Sequence, residues 1–167
     1  MRAVLSIGSN LGDRLAHLQS VVDGLGARVR AVSPVYETDA WGGVDQGAFL
    51  NAVLIAADPG YDGHGWLRHG QALEAAAERV REVHWGPRTL DVDVISCYGD
   101  DDAELHCRDV DLTLPHPYAH QRAFVLVPWL AADPGATLSG RPVADLLAGI
   151  DSAERDGVRR TDLVLAT

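Results

Sequence analysis

The stretch Leu90-Asp91-Val92-Asp93-Val94-Ile95-Ser96-Cys97 (LDVDVISC, 90–97) begins with strict alternation of apolar and acidic residues. This alternation predicts a β-strand whose valines face the core, while Asp91 and Asp93 share the opposite face with Ile95. Residues two apart on a strand lie about 6.6 Å from each other, so the two carboxylates stand side by side. Neighbouring carboxylates repel unless a cation lies between them, and Mg²⁺ prefers such oxygen ligands together with substrate phosphates. The alternative is an ordinary strand edge that carries two acids.

Over the rest of the chain, hydrophobic periodicity predicts the order β-α-β-β-α-β. We expect strands at residues 3–7, 29–36, 49–56 and 90–97, with helices at about 15–25 and 58–81 between them. A short strand at 112–114, a helix at 121–130 loosened by Pro128 and a helix at 143–148 follow, and the chain finishes in a polar tail. The order is that of the ferredoxin-like split βαβ unit. The sequence therefore predicts an α+β fold of the ferredoxin-like type, with additional C-terminal helices and short strands, in one domain over 1–167.

Composition excludes several classes of protein. The chain has 167 residues, is 47% hydrophobic and carries a net charge of −10, which argues against a nucleic-acid partner. All 14 basic residues are arginines, so lysine-dependent phosphate binding and Schiff-base chemistry are excluded. With no long apolar run and no signal-peptide pattern, we expect a cytoplasmic protein outside the membrane. Cys97 and Cys107 have no zinc-finger or C-x-x-C spacing, and we expect buried or incidental thiols.

Arginines cluster near the acidic strand. Arg79, Arg81 and Arg88 precede it closely, and Arg122 begins a later helix. One guanidinium group can bind two phosphate oxygens at once, so the cluster indicates a nucleotide-binding site. Pairing of Arg79 and Arg81 with helix glutamates is the alternative. The tryptophan in Trp85-Gly86-Pro87 is either a lid that stacks on a ring or a buried corner residue.

Two histidines follow the strand at a spacing of four, His116 and His120. This spacing suits zinc on a helix, but Pro117 disfavours one continuous helix there. We expect a hydrogen bond or a phosphate contact for His116 and a surface position for His120.

Residues 84–95, HWGPRTLDVDVI, resemble the signature segment of the hydroxymethyldihydropterin pyrophosphokinases along their whole length. Further segments resemble that family in the expected order: GSNLG at 8–12, VYET at 35–38, FLNA at 49–52, LPHP at 114–117 and RAFVL at 122–126. The resemblance implies transfer of pyrophosphate from ATP to 6-hydroxymethyl-7,8-dihydropterin in folate biosynthesis. It also implies a monomer with two Mg²⁺ ions and no nucleic-acid or membrane partner.

The resemblance implies a role for each matching residue. Asp91 and Asp93 would bind the metal ions, and Arg79 and Arg81 would stabilise charge during transfer. The nucleotide side would comprise Gln71, Glu74, Trp85, Arg88, Thr113, His116 and Arg122. The pterin side would comprise Thr38, Asp39, Ala40, Trp41, Phe49, Asn51 and Phe124. For Phe49 and Phe124, plain core positions are the alternative.

Some residues depart from the family pattern. Asp39-Ala40 stands where many members have proline, and Asp111 stands where some have a basic residue. The glycine-rich segment 39–47 and residues 82–87 are expected to be mobile loops that exclude water. The rival functions are a D-x-D glycosyltransferase, for which the chain is short, and a non-catalytic ferredoxin-like sensor of nucleotide or pterin.

Overall fold

The computed structural model describes residues 1–39, 47–78 and 89–167. Within these ranges the main sheet has six strands: β1 (Arg2–Ser9), β2 (Val29–Val32), β3 (Tyr36–Thr38), β4 (Phe49–Ala57), β5 (Asp91–Tyr98) and β10 (Arg159–Arg160). Their order is β10-β3-β4-β1-β5, with β2 also paired to β4. The strand pairs in the described residues are antiparallel. The predicted mixture of helices and an antiparallel sheet, an α+β fold, is confirmed.

One face of the sheet packs against α1 (Arg14–Leu25) and α2 (Gly63–Glu78). The Asp13 side chain accepts a hydrogen bond from Ala16 N at 3.1 Å and caps the start of α1. Gly26 ends the helix at φ +58°, a conformation that glycine adopts without strain. The largest side chain of this core is Trp66, which is 1% exposed.

The opposite face packs against α3 (Ala123–Ala132), which also contacts α4 (Val143–Ala148) and α5 (Ser152–Asp156). Ile95, Trp129 and Val143 belong to this second core, whereas Val92 and Val94 belong to the first. The predicted division of the acidic strand into two faces is therefore correct. The helix predicted at 121–130 begins two residues later, after a 3-10 turn at Ala119–Gln121, and it accommodates the buried Pro128.

Three predicted boundaries are wrong. The strand expected at 29–36 divides into β2 and β3. In a continuous strand the Val53 amide of β4 would donate to a backbone carbonyl, but here it donates to the side-chain Oγ of Ser33 at 2.9 Å. The helix expected from residue 58 begins at Gly63, because Asp58 accepts from Gly60 N in a turn and Asp62 accepts from Gly65 N at 2.7 Å as a cap. The strand expected at 3–7 continues to Ser9, since Gly8 and Ser9 still pair with β4. The predicted helix end at Arg81 lies outside the described residues.

Two small hairpins and the tail complete the chain. They are formed by β6 (Cys107–Arg108) with β7 (Thr113–Leu114), and by β8 (Thr137–Leu138) with β9 (Arg141–Pro142). The polar tail, which carried no predicted element, forms α5 and then β10, which pairs with β3 at the sheet edge. In the described ranges, none of the helices has the length and apolar character needed to span a membrane.

Candidate active site

A cavity of about 320 Å³ lies where β1, β3, β4 and β5 meet the beginning of α3. Its wall brings together most of the pterin-side residues and both acidic residues expected from the sequence. Those residues are Thr38, Asp39, Phe49, Asn51, Phe124, Asp91 and Asp93, and Arg122 from the nucleotide side lies with them. Residues separated by almost ninety positions in the chain thus share one cavity.

Strand register explains this convergence. On β1, Gly8 pairs with Asn51 of β4 on one side and with Asp91 of β5 on the other. Directly paired residues of antiparallel strands project to the same face, so the amide and the carboxylate both reach the cavity across a glycine. A Cβ atom at Gly8 would lie 3.0 Å from Asn51 Oδ1. The missing side chain at Gly8 therefore permits the close approach of Asn51.

The amide of Asn51 has a fixed orientation. Its Nδ2 donates to Thr38 Oγ1 at 2.7 Å, and the residue is only 4% exposed. Thr38 pairs with Phe49, two residues before Asn51 on the same strand. A second amide N–H and the carbonyl oxygen remain as a donor and an acceptor, which suits the polar edge of a flat heterocycle.

The two phenylalanines expected on the pterin side both line the cavity. Phe49 and Phe124 are half-buried and line the wall, although Phe124 also packs against the second core. The guanidinium carbon of Arg122 lies 5.6 Å from the ring centre of Phe124 and 5.7 Å from that of Tyr118. These cation–π contacts hold the positive charge of Arg122 at the cavity wall.

The carboxylates of Asp91 and Asp93 form the acidic side of the cavity. Both residues are half-buried and line it together, in accordance with their spacing on β5. Paired oxygen donors in a partly solvated wall are the donor set that Mg²⁺ binds in nucleotide sites. The residues present therefore fit a divalent cation.

Several nucleotide-side residues lie outside the cavity, along the outer edge of β5. The Val92 amide donates to Glu74 Oε2 at 2.9 Å, and the His116 amide donates to Ile95 O at 2.8 Å. Gln71 is exposed on α2, nearly one turn before Glu74, and Thr113 is exposed on β7. Glu74 and His116 therefore contact the acidic strand, Gln71 and Thr113 lie on elements that pack against it, and none of the four lines the cavity itself.

The protonation of His116 follows from its contacts. Burial lowers its pKa, the negative charge of Asp93 opposes that shift, and Arg122 adds to it. The Tyr118 amide donates to His116 Nδ1 at 3.2 Å, so Nδ1 is an acceptor. The imidazole is therefore neutral near pH 7, with its proton on Nε2, where it can donate to an oxygen. His120 is exposed, as expected.

Other predicted site residues lie outside the described ranges. They are Ala40, Trp41, Arg79, Arg81, Trp85 and Arg88. Asp39 is described, and its carboxylate accepts a hydrogen bond from Arg159 Nη2 at 3.1 Å.

A known protein family matches most of the chain. Residues 4–134 match the family model of the 7,8-dihydro-6-hydroxymethylpterin-pyrophosphokinases, abbreviated HPPK. The chain belongs to the HPPK family. It is thus an enzyme, a pyrophosphokinase, as the resemblance at residues 84–95 implied.

Curated relatives agree with this assignment. The 2-amino-4-hydroxy-6-hydroxymethyldihydropteridine pyrophosphokinase of Mycobacterium bovis is 58% identical over 166 residues, which cover 95% of this chain and 88% of the relative. The protein of the same name from Mycobacterium leprae is 59% identical, over 98% of this chain and 91% of the relative. That from Methylorubrum extorquens is 41% identical, over 96% and 99%.

A solved structure supports the fold. Wild-type Plasmodium falciparum HPPK-DHPS superposes with a TM-score of 0.60 at 13% identity, over 88% of this chain. This chain spans 44% of that longer chain. At this low identity the similarity is evidence for the fold only.

The C-terminal tail contributes cavity residues that the sequence did not reveal. Glu154, Gly157 and Val158 line the wall beside the strand residues. This polar segment has no hydrophobic periodicity, so its position beside the cavity is evident only from the pairing of β10 with β3. Gly8 did carry a signal, because a glycine within a strand pattern often marks a close backbone approach.

Proposed function

We propose that the chain transfers the pyrophosphoryl group of ATP to the hydroxymethyl group of 6-hydroxymethyl-7,8-dihydropterin, giving AMP and the pterin pyrophosphate of folate biosynthesis. The observation that carries this proposal is one cavity in which the oriented amide of Asn51 and two phenylalanines share a wall with Asp91 and Asp93. The relatives named above carry this activity in their names. A sensing module without catalysis is not favoured, because those relatives are named as enzymes.

On this proposal, the pterin lies at the Asn51 end of the cavity. Phe49 and Phe124 would contact the ring faces, and Asn51, held by Thr38, would pair with the polar ring edge. Asp39, Ala40 and Trp41 belong to the same side by their match to the family pattern. The hydroxymethyl group would then point towards the acidic residues of β5.

The nucleotide would lie along the outer edge of β5, where Glu74 and His116 contact the strand and where α2 and β7 carry Gln71 and Thr113. His116 Nε2–H and the Arg122 guanidinium are the described donors best suited to phosphate oxygens. The roles of Arg79, Arg81, Trp85 and Arg88 rest on the family pattern alone.

Asp91 and Asp93 would hold Mg²⁺, with two ions as the proposed number. Bound Mg²⁺ neutralises phosphate charge and orients the transferred group. The residues of the chain position the pterin oxygen in line with the β-phosphorus. An O–P bond forms there as the hydroxyl O–H bond breaks and its proton passes to solvent. The bond from that phosphorus to the bridging oxygen of the α-phosphate breaks, with the electron pair leaving on AMP. Such transfer depends mainly on positioning and charge stabilisation.

The finer structural assignments are part of the proposal. The sheet order β5-β1-β4-β3 supports a ferredoxin-like split βαβ core, and we treat 1–167 as one pyrophosphokinase domain. A monomer in the cytoplasm is the proposed state.

The test is AMP formation. Purified protein is incubated with ATP, Mg²⁺ and 6-hydroxymethyl-7,8-dihydropterin, and AMP is quantified with and without the pterin. We expect pterin-dependent AMP, and we expect the Asp91→Asn, Asp93→Asn double variant to lose at least about 10³-fold in rate, because charge stabilisation dominates such transfer. The matched control, Asp100→Asn with Asp145→Asn, removes the same charge at exposed positions and should retain the rate. Folded protein that binds pterin but forms no AMP would contradict the proposal.

A further inference from the structure

A second group of metal-ligating side chains lies away from the cavity, where α2 begins. One ligand atom from each of His64, Cys107 and Asp109 lies within 4.8 Å of the others. His64 Nε2 is 3.0 Å from Asp109 Oδ2 and 3.3 Å from Asp111 Oδ1. Neither the proposed reaction nor the proposed binding of its two substrates uses these four residues.

The fold holds this group together across the chain. His64 is the second residue of α2, and Cys107 and Asp109 belong to the β6–β7 hairpin more than forty positions later. Gly63 lets the hairpin approach the helix, because a Cβ atom there would lie 3.1 Å from Leu114 Cδ1 and 3.2 Å from Leu112 Cδ2. Leu112 and Leu114 are themselves anchored in the main core. Buried leucines therefore fix the hairpin over His64.

The hairpin backbone adds further restraint. The Asp109 amide donates to Leu112 O at 2.8 Å, and the Cys107 thiol donates to the same carbonyl at 3.7 Å. The side chain of His64 is 30% exposed and that of Asp109 is 55% exposed. The group is thus restrained on its inner side and open to solvent on its outer side, which gives a small ion a route of entry.

The chemistry of the donors indicates which ion would bind. An imidazole nitrogen, a thiolate and a carboxylate form a mixed set that suits Zn²⁺ and related transition metals, whereas Mg²⁺ prefers oxygen alone. Ligand atoms around a tetrahedral zinc ion lie about 3.3–3.5 Å apart, given bonds of about 2.0–2.3 Å. The spacings at His64 are already close to these values, so side-chain adjustments of about 1 Å would complete the geometry.

We propose that His64, Cys107 and Asp109 bind a transition-metal ion of the Zn²⁺ class, with the fourth position taken by water or by Asp111. Metal binding forms a metal–sulfur bond and breaks the S–H bond of Cys107, and the proton passes to solvent. Burial, followed by the negative charge of Asp109, raises the pKa of the Cys107 thiol, so the proton is present before the metal binds. The ion joins the start of α2 to the hairpin that leads into Thr113 and His116.

The other thiol of the chain does not compete for this role. Cys97 lies on β5 with no exposed surface, and burial raises its pKa to about 12. It therefore serves as a matched control for Cys107. His106, an exposed neighbour of Cys107, serves in the same way for His64.

The test uses the full chain, stripped with a chelator and then titrated with Co²⁺ in excess Mg²⁺, which occupies oxygen-only sites. We expect one equivalent of Co²⁺ to release a proton and give a thiolate-to-metal charge-transfer band, and one equivalent of Zn²⁺ to displace the cobalt and abolish that band. His64→Gln, Cys107→Ser and Asp109→Asn should each weaken Zn²⁺ binding at least about 100-fold, because loss of a supporting contact alone can cost that much. Cys97→Ser and His106→Gln should retain the band.

A different set of results would overturn the proposal. The group would be only a polar contact of His64 with Asp109 and Asp111 if no thiolate band formed, or if the band survived in Cys107→Ser. Circular dichroism shows whether each variant folds. If Cys107→Ser does not fold, the band and the Zn²⁺ affinity of His64→Gln and Asp109→Asn decide the question.

Discussion

The cavity and the outer edge of β5 share a strand but are built in different ways. The cavity wall is set by strand register, since Gly8 places Asn51 and Asp91 on its two sides. The outer edge of β5 is contacted by elements beyond the sheet, including Glu74 at Val92, Leu105 at Cys97 and the His116 corner at Ile95. Register depends on many backbone hydrogen bonds at once, whereas these edge contacts come from separate helices and loops.

This difference has a consequence for ligand binding. The proposed pterin side is shaped before any ligand arrives, because its amide is already oriented by Thr38. The proposed nucleotide side is described only in part, and its described members border the strand separately. We therefore expect substitutions on the two sides to affect the two substrates separately.

The largest of the three effects is expected at Asn51. Asn51→Ala removes two proposed hydrogen bonds to the pterin, and each is worth about 0.5–1.5 kcal/mol. We expect pterin affinity to fall about 10–100-fold, measured by isothermal titration calorimetry. Thr38→Val keeps the shape but removes the acceptor that orients the amide, so it should cost less than Asn51→Ala.

Affinity for an ATP analogue provides the control for Asn51. It should change little in both variants. An equal loss of pterin and nucleotide affinity in Asn51→Ala would mean that the residue supports the fold of the whole site, and the contrast between the two sides would then fail.

An intermediate effect is expected at Glu74. Glu74→Leu leaves the Val92 amide without its carboxylate acceptor at the sheet edge, which should lower the free energy of unfolding by about 1–2 kcal/mol. Glu74→Gln keeps an acceptor oxygen and should cost less. Urea denaturation measures both values.

Ligand binding by the Glu74 variants shows whether the edge of β5 and the cavity act independently. We expect ATP affinity to fall about 3–10-fold in Glu74→Leu, a loss of about 1 kcal/mol, with pterin affinity unchanged. If pterin affinity fell as well, the edge of β5 and the cavity would be one coupled unit rather than two.

The sequence predicted which strand residues lie together at the cavity, while their roles in binding stay predictions. Alternation at 90–97 predicted the faces of Asp91 and Asp93, and the family resemblance predicted that Asn51, Phe49 and Phe124 belong together. Alternation and register are local properties of strands, so the residues themselves carry that information. Boundaries were predicted less well, because the breaks at Ser33 and Asp58 depend on side-chain hydrogen bonds that compete with the backbone.

Long-range contacts explain what the sequence could not predict. The approach of His64 to Cys107 depends on the packing of Gly63 under two leucines, and no spacing rule joins residues so far apart. In the same way, the polar tail reaches the cavity only because β10 pairs with β3. Neither contact has a periodic pattern that would reveal it.

The smallest effect is expected at Arg159, which joins this tail to the cavity wall. Its guanidinium donates to Asp39 at 3.1 Å and lies 3.7 Å from Glu37, and its side chain is 46% exposed. Exposed ion pairs are worth about 0–1 kcal/mol and weaken in salt. We therefore expect Arg159→Ala to raise the KM for the pterin about 2–5-fold at low salt with kcat unchanged, measured by steady-state AMP formation. Arg160→Ala is the matched control, because side chains of successive strand residues project to opposite faces. If the KM values of the two variants differ at low salt and agree at high salt, the ion pair of Arg159 holds the tail against the cavity. If the two variants have equal KM values at low salt, the backbone pairing of β10 alone holds the tail in place.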